Sequence, residues 1–463
     1  MKLELIKKIY FVGIGGIGMS ALARYFNSRK VEVYGYDKTT SSLTEQLEAE
    51  GMSIHYEDDV SQIPKGIDLV VYTPAVPNSH TELQYFWNND YEVLKRAAVL
   101  GIISRGMKAI AIGGTHGKTT TTSITTHILK TCGIDCTSFL GGIAENFKSN
   151  FVEGTSEWFV VEADEFDRSF LHLNPEISAV LSMDADHLDI YGDVDTMHET
   201  FSEFVHKTND NGFILYKNDL PLRIEKTSQK RLITNTFGHE SGEYQIKNVR
   251  VEHGYFVFDV ISPIENIENL AFTLPGKHNA LNALVGIAVA QRLGANSEDI
   301  KTALKTFKGI KRRFEFIVRG DLNANEKVFI DDYAHHPSEL NAAIDAARQM
   351  YPNNKLTGIF QPHLYSRTND FQDGFAAALD ELDEIYLLDI YPARELPMKG
   401  VTSEIIFNKM KNPNKKLVQK SDLLNELQLN DVEVLMTLGA GDIDRLVKPI
   451  KEAFLAEGAR EAE

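Results

Sequence analysis

Only two cysteines, Cys132 and Cys136, occur among 463 residues. Neither a disulfide framework nor a four-cysteine zinc site can be built from them, and both are expected to be packing residues. Long hydrophobic runs are missing too. No apolar stretch approaches the ~18 to 20 residues that cross a bilayer, so no membrane insertion is expected. Positive charge is scarce, with 48 basic against 66 acidic residues and a formal charge of -18. That balance disfavours non-specific attraction to nucleic acid or to an anionic membrane surface. An anionic substrate must therefore be captured by local features. Internal repeats and low-complexity segments are also lacking, and nothing calls for an obligatory protein partner.

The opening stretch MKLELIKKIYFVGIGG places basic residues before apolar ones, as a signal peptide does. It runs straight into a glycine-rich turn and has no small-residue cleavage site, so it reads as the first strand of a folded, cytoplasmic protein. With 43% apolar and 25% charged residues the chain has the composition of a globular protein, and its length suits about three domains.

Short apolar strands alternate with amphipathic helices, the pattern of parallel sheets with crossover helices. The alternation restarts twice. A first series runs from KIYFVGIGG through VEVYGYD and IDLVVYTPAV to GIISRGM; a second starts at KAIAIGGTHGK and ends in the helical stretch HNALNALVGIAVAQRL; a third opens after GIKRRFE with EKVFIDDYA. These restarts divide the chain at 1–106, 107–308 and 309–463.

Gly13, Gly15 and Gly18 form G-x-G-x-x-G between a strand and a helix, with Asp37 ending the next strand. The glycines permit a tight turn and close approach of phosphate to backbone N–H groups, and the acid suits a ribose hydroxyl. The motif indicates a nucleotide without choosing among NAD(P), FAD or another nucleotide diphosphate, and a purely structural turn remains open. A second loop, Gly113 to Thr119, ends in Gly117-Lys118-Thr119 and resembles a phosphate-binding loop. Backbone amides would cradle phosphates, Lys118 would neutralise charge near the γ-phosphate, and the Thr119 hydroxyl would help hold Mg²⁺. The general pattern needs glycine where Ile112 stands, so this loop is one residue short; the plain alternative is a chance Gly-Lys-Thr.

A third constellation is acidic, VVEADEFD with MDADHLD. Each follows an apolar strand, which places Glu162 and His187 at a carboxyl edge of the sheet, where open α/β sheets bind ligands. A carboxylate and a neutral imidazole suit a divalent cation. For Asp164, Glu165, Asp184 and Asp186 the bland reading is a solvated turn residue.

GIGGIGMS, GGTHGKTTTT, VEADEFDRSFLHL, ADHLDIYG, PGKHNALNA, RRFE, DDYAHHPSEL and FQPHLYSRT occur in this order over nearly the whole chain. Together they closely resemble the Mur ligase family, in which a short phosphate loop is usual. The resemblance implies an α/β protein of three domains: an N-terminal Rossmann-like domain for a UDP-sugar, a central P-loop ATP-binding domain with a mostly parallel sheet, and a C-terminal Rossmann-like domain for an amino acid. It implies ATP-dependent, Mg²⁺-dependent joining of L-alanine to the carboxylate of UDP-N-acetylmuramate through an acyl phosphate, in peptidoglycan synthesis. A sister activity, attaching a preformed peptide to the same sugar nucleotide, is the nearest rival. A dehydrogenase with an ATP-binding regulatory domain or a non-catalytic nucleotide switch would leave HNALN and DDYAHH without work.

Matched residue by residue, the resemblance assigns Gly15, Gly16, Ile17, Gly18, Asp37, Thr73 and His116 to the UDP-sugar. Gly113, Thr115, Gly117, Lys118, Thr119, Thr120, Asn279, Asn282, Arg313 and Asp332 would serve ATP, with His278 near the reacting groups. Thr119, Glu162 and His187 would hold the metal; Tyr333, His335 and Arg367 would form the amino-acid pocket. Lys118, Glu162, His187 and Arg367 are the expected catalytic set. Leu364 stands where some relatives carry arginine after the histidine of FQPH, which leaves Arg367 as the expected carboxylate contact. Lys207 and Lys217 are the lysines nearest in sequence to the place of a modified lysine, and both read as surface residues.

Overall fold

The computed structural model describes residues 3–185, 188–224, 230–252, 254–320, 322, 327–393, 395–427 and 429–456. It separates into two compact units: residues 1–247 with 259–270 and 281–307, and residues 248–258 with 271–280 and 308–463.

The first unit begins with a parallel sheet of five strands, β1 (Lys8–Val12), β2 (Glu32–Tyr36), β3 (Ser53–His55), β4 (Leu69–Tyr72) and β5 (Val93–Lys95), in the order β3-β2-β1-β4-β5. Strand β1 is apolar on both faces because both are covered. Ile9 and Phe11 join the core under the helix Ile17–Ser28, while Tyr10 and Val12 pack with Leu83 and Phe86 on the opposite face. From β1 the chain steps outward to β2 and β3 and then returns to β4 on the other side of β1, and this reversal opens a crevice at the carboxyl ends of β1 and β4. Gly13 to Gly18 and Thr73 lie at that end.

A second sheet has ten strands: β6 (Lys108–Gly113), β7 (Thr137–Ala144), β8 (Ser149–Val152), β9 (Trp158–Ala163), β10 (Pro175–Val180), β11 (Phe213–Lys217), β12 (Ile233–His239), β13 (Tyr244–Glu252), β14 (Tyr255–Ile261) and β15 (Ile267–Phe272). Its central strands pair in parallel in the order β12-β11-β10-β6-β9-β7, and β8 closes one edge antiparallel to β7. Strand β6 lies between β10 and β9, so its carboxyl end is again a crevice. The helix that follows, Lys118–Thr131, has the sequence KTTTTSITTHILKT, a poor helix former because threonine loses χ1 freedom there. Burial of Thr120 to Leu129 overrides that preference. The first sheet's helix Ile17–Ser28 docks on β7 and β8 through Tyr25, whose ring lies 5.4 Å from that of Phe139, and through Arg24, which binds Glu50 at 2.7 Å and donates to Asn150.

The second unit contains a six-stranded sheet of β16 (Glu315–Arg319), β17 (Val328–Asp332), β18 (Leu356–Phe360), β19 (Glu384–Leu387), β20 (Lys415–Leu417) and β21 (Val434–Leu438), ordered β16-β17-β21-β18-β19-β20. All neighbours are parallel except the edge pair β16 and β17. The helices Pro337–Met350 and Tyr365–Leu379 cover one face and Asp444–Ala456 the other. The expected three-sheet α/β architecture is present, with an antiparallel edge strand on the last sheet that the sequence does not announce. Cys136 is buried, Cys132 partly so, and both are free thiols.

Candidate functional site

Strand β6 ends at Gly113, and after four intervening residues the helix Lys118–Thr131 begins, so the loop delivers the positive end of a helix to the crevice. Gly117 caps that helix with φ of 82°, and a Cβ there would lie 2.9 Å from Asn282 Oδ1. Only glycine meets both demands. The loop's shape is fixed by the segment after β10. Ser182 Oγ accepts from His116 N at 2.8 Å, Ser182 O accepts from Thr115 N at 3.2 Å, and Asp184 N donates to Thr115 Oγ1 at 3.1 Å. His116 Nε2 lies 3.4 Å from Asp184 Oδ2, so this histidine belongs to the second loop's surroundings.

Lys118 Nζ donates to Gly114 O at 2.5 Å and to both oxygens of Glu165, at 3.0 and 2.7 Å. Burial by itself would lower the lysine's pKa, but the carboxylates of Glu165, Asp164 and Glu162 outweigh it and the net shift is upward. Glu165, read from the sequence as a solvated turn residue, is 1% exposed and holds this ion pair instead. Three carboxylates in ADEFD look alike as letters, and only the packing of the turn decides which one is buried. Asp184 does fit the solvated reading, at 58% side-chain exposure.

Glu162, penultimate in β9, accepts from Gly141 N at 2.6 Å and from Thr119 Oγ1 at 3.3 Å. Burial raises its pKa, with Lys118, the Gly141 N–H and Thr119 opposing. Two hard oxygen donors thus converge beside the phosphate loop, and a divalent cation replacing the Thr119–Glu162 hydrogen bond would meet ligands of the right chemistry, with phosphate and water completing its shell. His187, the expected third metal ligand, and Asp186 lie outside the described residues. Thr120 points into the core at 7% exposure. Of the two candidate modified lysines, Lys217 pairs with Asp219 at 3.1 Å and Lys207 follows the helix Val194–His206; both are partly exposed.

At the first glycine loop, Gly15 N donates to Asp37 Oδ2 at 2.8 Å, and a Cβ on Gly15 would touch that same oxygen at 2.8 Å. Asp37 therefore braces the loop it was expected to serve, its other oxygen accepting from Thr39 N at 3.2 Å. Thr73 packs its methyl against Gly13, Gly16 caps the helix Ile17–Ser28 without a side-chain bond, and Ile17 is 38% exposed. Gly18 abuts a residue that no motif marked. A Cβ there would lie 2.8 Å from Arg96 Nη1, and Arg96 Nη2 reaches Asp164 Oδ2 at 3.1 Å.

In the second unit, Asp332 ends β17 and is tied to its own backbone, accepting from Phe314 N and Ala334 N, each at 2.7 Å. Burial pushes its carboxyl up to about 6, against Arg313 and the two N–H donors. Tyr333 lies between two guanidiniums, with Arg312 and Arg313 each 5.1 Å from its ring centre. Arg312 serves structure, donating to Asp331 and to Gly439 O, whereas Arg313 lies 3.8 Å from Glu339. His335 packs edge-on to Tyr333 at 5.2 Å and lies 3.2 Å from Glu339. Burial lowers its pKa, Glu339 opposes, and the nearby positive charge of Arg367 adds to the lowering. His363 stacks on Tyr391, and Leu364 adopts φ of 69° to start the helix Tyr365–Leu379. Asn279 donates to Pro275 O at 2.7 Å, and burial holds His278 down at about 4.

Three family models match successive parts of the chain: the Mur ligase family catalytic domain over 8–108, the Mur ligase middle domain over 112–290, and the Mur ligase glutamate ligase domain over 312–441. The UDP-N-acetylmuramate–L-alanine ligase of Flavobacterium johnsoniae is 49% identical over 98% of this chain and 99% of its own. That of Porphyromonas gingivalis is 45% identical over 96% and 99%. Among solved structures, the UDP-N-acetylmuramate-alanine ligase of Thermotoga maritima superposes with a TM-score of 0.81 at 28% identity, covering 97% of this chain and 99% of that one. A murein peptide ligase from Psychrobacter arcticus shares the fold, with a TM-score of 0.69 at 22% identity over 98% and 100%. On these matches, which run almost from end to end, the chain belongs to the Mur ligase family.

Proposed function

We propose that the protein joins L-alanine to the lactyl carboxylate of UDP-N-acetylmuramate with cleavage of ATP, in the cytoplasm, for peptidoglycan synthesis. The observation that carries this reading is the near-full-length identity of 49% to a ligase of that name, on a fold that sets Lys118 and Thr119, at the end of the glycine loop, beside Glu162 of β9. Among the described residues no helix is long and apolar enough to cross a membrane. We assign the UDP-sugar to residues 1–106, ATP to 107–308 and the amino acid to 309–463. Arg313, Asp332, Asn279 and Asn282 are assigned to ATP, and Tyr333, His335 and Arg367 to alanine.

A carboxylate is a poor electrophile, so an amide can be made from it only after a better leaving group is installed. One lactyl oxygen attacks the γ-phosphorus of ATP in line, the β–γ bridging bond breaks, and ADP leaves. Lys118 and the amides at the start of its helix stabilise the charge on the transferring phosphoryl group. Mg²⁺, for which Thr119 and Glu162 are suitable ligands, would neutralise phosphate charge there. The amine of alanine then adds to the acyl carbon of the acyl phosphate. Collapse of the tetrahedral intermediate breaks the C–O bond, expels inorganic phosphate and leaves the amide. Arg367 would hold the alanine carboxylate, leaving the amine as the nucleophile.

The peptide-attaching activity is the second reading; the 22% identity of the murein peptide ligase supports only a shared fold. Phosphate release with ATP, Mg²⁺ and UDP-N-acetylmuramate, with L-alanine, glycine, L-serine or a cell-wall tripeptide added separately, distinguishes them. Release fastest with L-alanine and dependent on the sugar nucleotide is expected. Release with the tripeptide alone would overturn the assignment of acceptor.

A further inference from the structure

Making an amide from free alanine requires a proton acceptor, because the amino acid arrives as an ammonium whose nitrogen has no lone pair to give. One imidazole of the second unit is oriented for that task. Strand β17 ends at Asp332, and the chain turns through Tyr333, Ala334 and His335 before the helix Pro337–Met350, so His335 stands at the carboxyl edge of a parallel sheet, where such sheets take their ligands. Glu339 is the third residue of that helix and reaches back over the turn. Its Oε2 accepts from His335 N at 3.0 Å and lies 3.2 Å from His335 Nδ1. Pro337 at the first helical position and the cap made by His336 on Ser338 N fix where that third residue points.

His335 Nδ1 also lies 3.0 Å from Tyr333 O. A carbonyl and an ionised carboxylate only accept, so in the neutral ring the proton is on Nδ1 and the lone pair is on Nε2. Among the described residues Nε2 has no hydrogen-bond partner, and the side chain keeps 19% of its surface exposed. An imidazole with one nitrogen held by a carbonyl and a carboxylate and the other unengaged has the arrangement of a general base. The next residue makes the contrast: His336 uses Nδ1 to cap its helix and is buried.

The charged and titratable groups facing the ring come from several elements. Glu339 lies on the helix Pro337–Met350, Arg313 on the segment before β16 and Arg367 on the helix Tyr365–Leu379, while Tyr333 packs edge-on at 5.2 Å and His363, after β18, at 6.0 Å. Burial is the largest influence and lowers the pKa, Glu339 and the Tyr333 carbonyl oppose, and the two arginines add to the lowering, so the ring is neutral in neutral solution and able to take a proton. Once it has done so, Glu339 lies beside the imidazolium, as the carboxylate of a catalytic triad does. Arg367, assigned above to the alanine carboxylate, is near enough for its charge to act on this ring. In an α-amino acid the nitrogen is two bonds from the carboxylate carbon, so a carboxylate held by Arg367 brings the ammonium into the same neighbourhood.

We propose that His335 is the general base that frees the alanine amine, with Glu339 as its positioning residue. Nε2 takes one proton from the ammonium, and the nitrogen lone pair forms the N–C bond at the acyl carbon. When the C–O bond to phosphate breaks, the second proton leaves the nitrogen with the departing group as hydrogen phosphate, and the imidazolium returns its proton to solvent. The step rests on the amino-acid pocket and the acyl phosphate proposed above.

The test changes the nucleophile. Full-length protein is given ATP, Mg²⁺ and UDP-N-acetylmuramate with either saturating L-alanine or hydroxylamine, which is unprotonated in neutral solution and traps an acyl phosphate as a hydroxamate without help from a base. In His335→Gln the ratio of amide to hydroxamate should fall by about 10²- to 10⁴-fold, the range of general acid–base catalysis, and the residual amide rate should climb with pH in proportion to free alanine amine. Glu339→Gln leaves the ring a partner without the charge, so the imidazole is protonated less readily and the acid limb of the kcat/KM profile for L-alanine should move to lower pH. This second variant carries the test if the first does not fold. A wild-type ratio in His335→Gln, a raised KM for L-alanine with kcat unchanged, or an unmoved acid limb in Glu339→Gln overturns the inference. Amide without hydroxamate from wild type overturns the acyl phosphate instead, and no product with either nucleophile overturns the functional reading itself.

Discussion

The Lys118 ammonium and the Glu165 carboxylate meet at 2.7 Å with only the lysine retaining appreciable contact with solvent. On the proposed function the same lysine serves stability and chemistry, and mutation can separate the two. Lys118→Ala takes the ammonium away from the buried Glu165 carboxylate, which should cost roughly 3 to 5 kcal/mol of stability as well as nearly all turnover. In the double variant Lys118→Met with Glu165→Leu the charge is removed from both sides. Most of the stability should return while phosphate transfer stays absent, as read from denaturant melts and steady-state rates. Recovery of activity in the double variant would show that Lys118 acts only through structure.

A second buried carboxylate lies away from the loops. Glu82 is fully buried in the helix Thr81–Asn88, accepting from the Tyr10 hydroxyl at 2.5 Å and from Asp59 N at 3.1 Å. Burial is the main cause of a pKa raised to about 7, from 4.5. Because the folded value lies above the unfolded one, the stability contributed by neutral Glu82 is complete below the unfolded value and lost as pH rises through the folded one. Glu82→Gln removes this dependence. Between about pH 5 and pH 8 the wild type should lose up to ~3 kcal/mol relative to the variant, measured by urea unfolding across that range. Parallel profiles for the two proteins would contradict the assignment.

Arg367, whose charge acts on His335, is the proposed partner of the alanine carboxylate. Arg367→Met should raise KM for L-alanine by roughly tenfold to a hundredfold, the worth of one charge-assisted hydrogen bond, and leave KM for ATP within about twofold. Steady-state kinetics with each substrate varied in turn checks this. A change confined to ATP would move Arg367 to the nucleotide.

Much of the framework was legible in the letters. KIYFV followed by GIGGIG and KAIAI followed by GGTHGKT each announce strand, glycine turn and helix, because the glycines stand where the chain reverses beside an apolar run. Three features were not legible. The antiparallel entry of β16 depends on which edge of the sheet is free, and nothing in EFIVR encodes that. The role of Asp37 in bracing Gly15 N, rather than standing free for a ribose, depends on a backbone approach of 2.8 Å that only coordinates show. Glu165 was read as a solvated turn residue and Arg96 was not marked at all, because neither has a mechanism of its own in any motif. Their partners, Lys118 and Asp164, are 47 and 68 residues away in sequence.

The central claim is that an amide is made between the lactyl carboxylate and alanine. The most direct test is mass spectrometry of the product formed from UDP-N-acetylmuramate, ATP, Mg²⁺ and L-alanine labelled with ¹⁵N. The account predicts a sugar nucleotide heavier by one alanine residue, carrying the label in an amide nitrogen, in equal amount to the phosphate released. Phosphate released with the sugar nucleotide returned unchanged would contradict it.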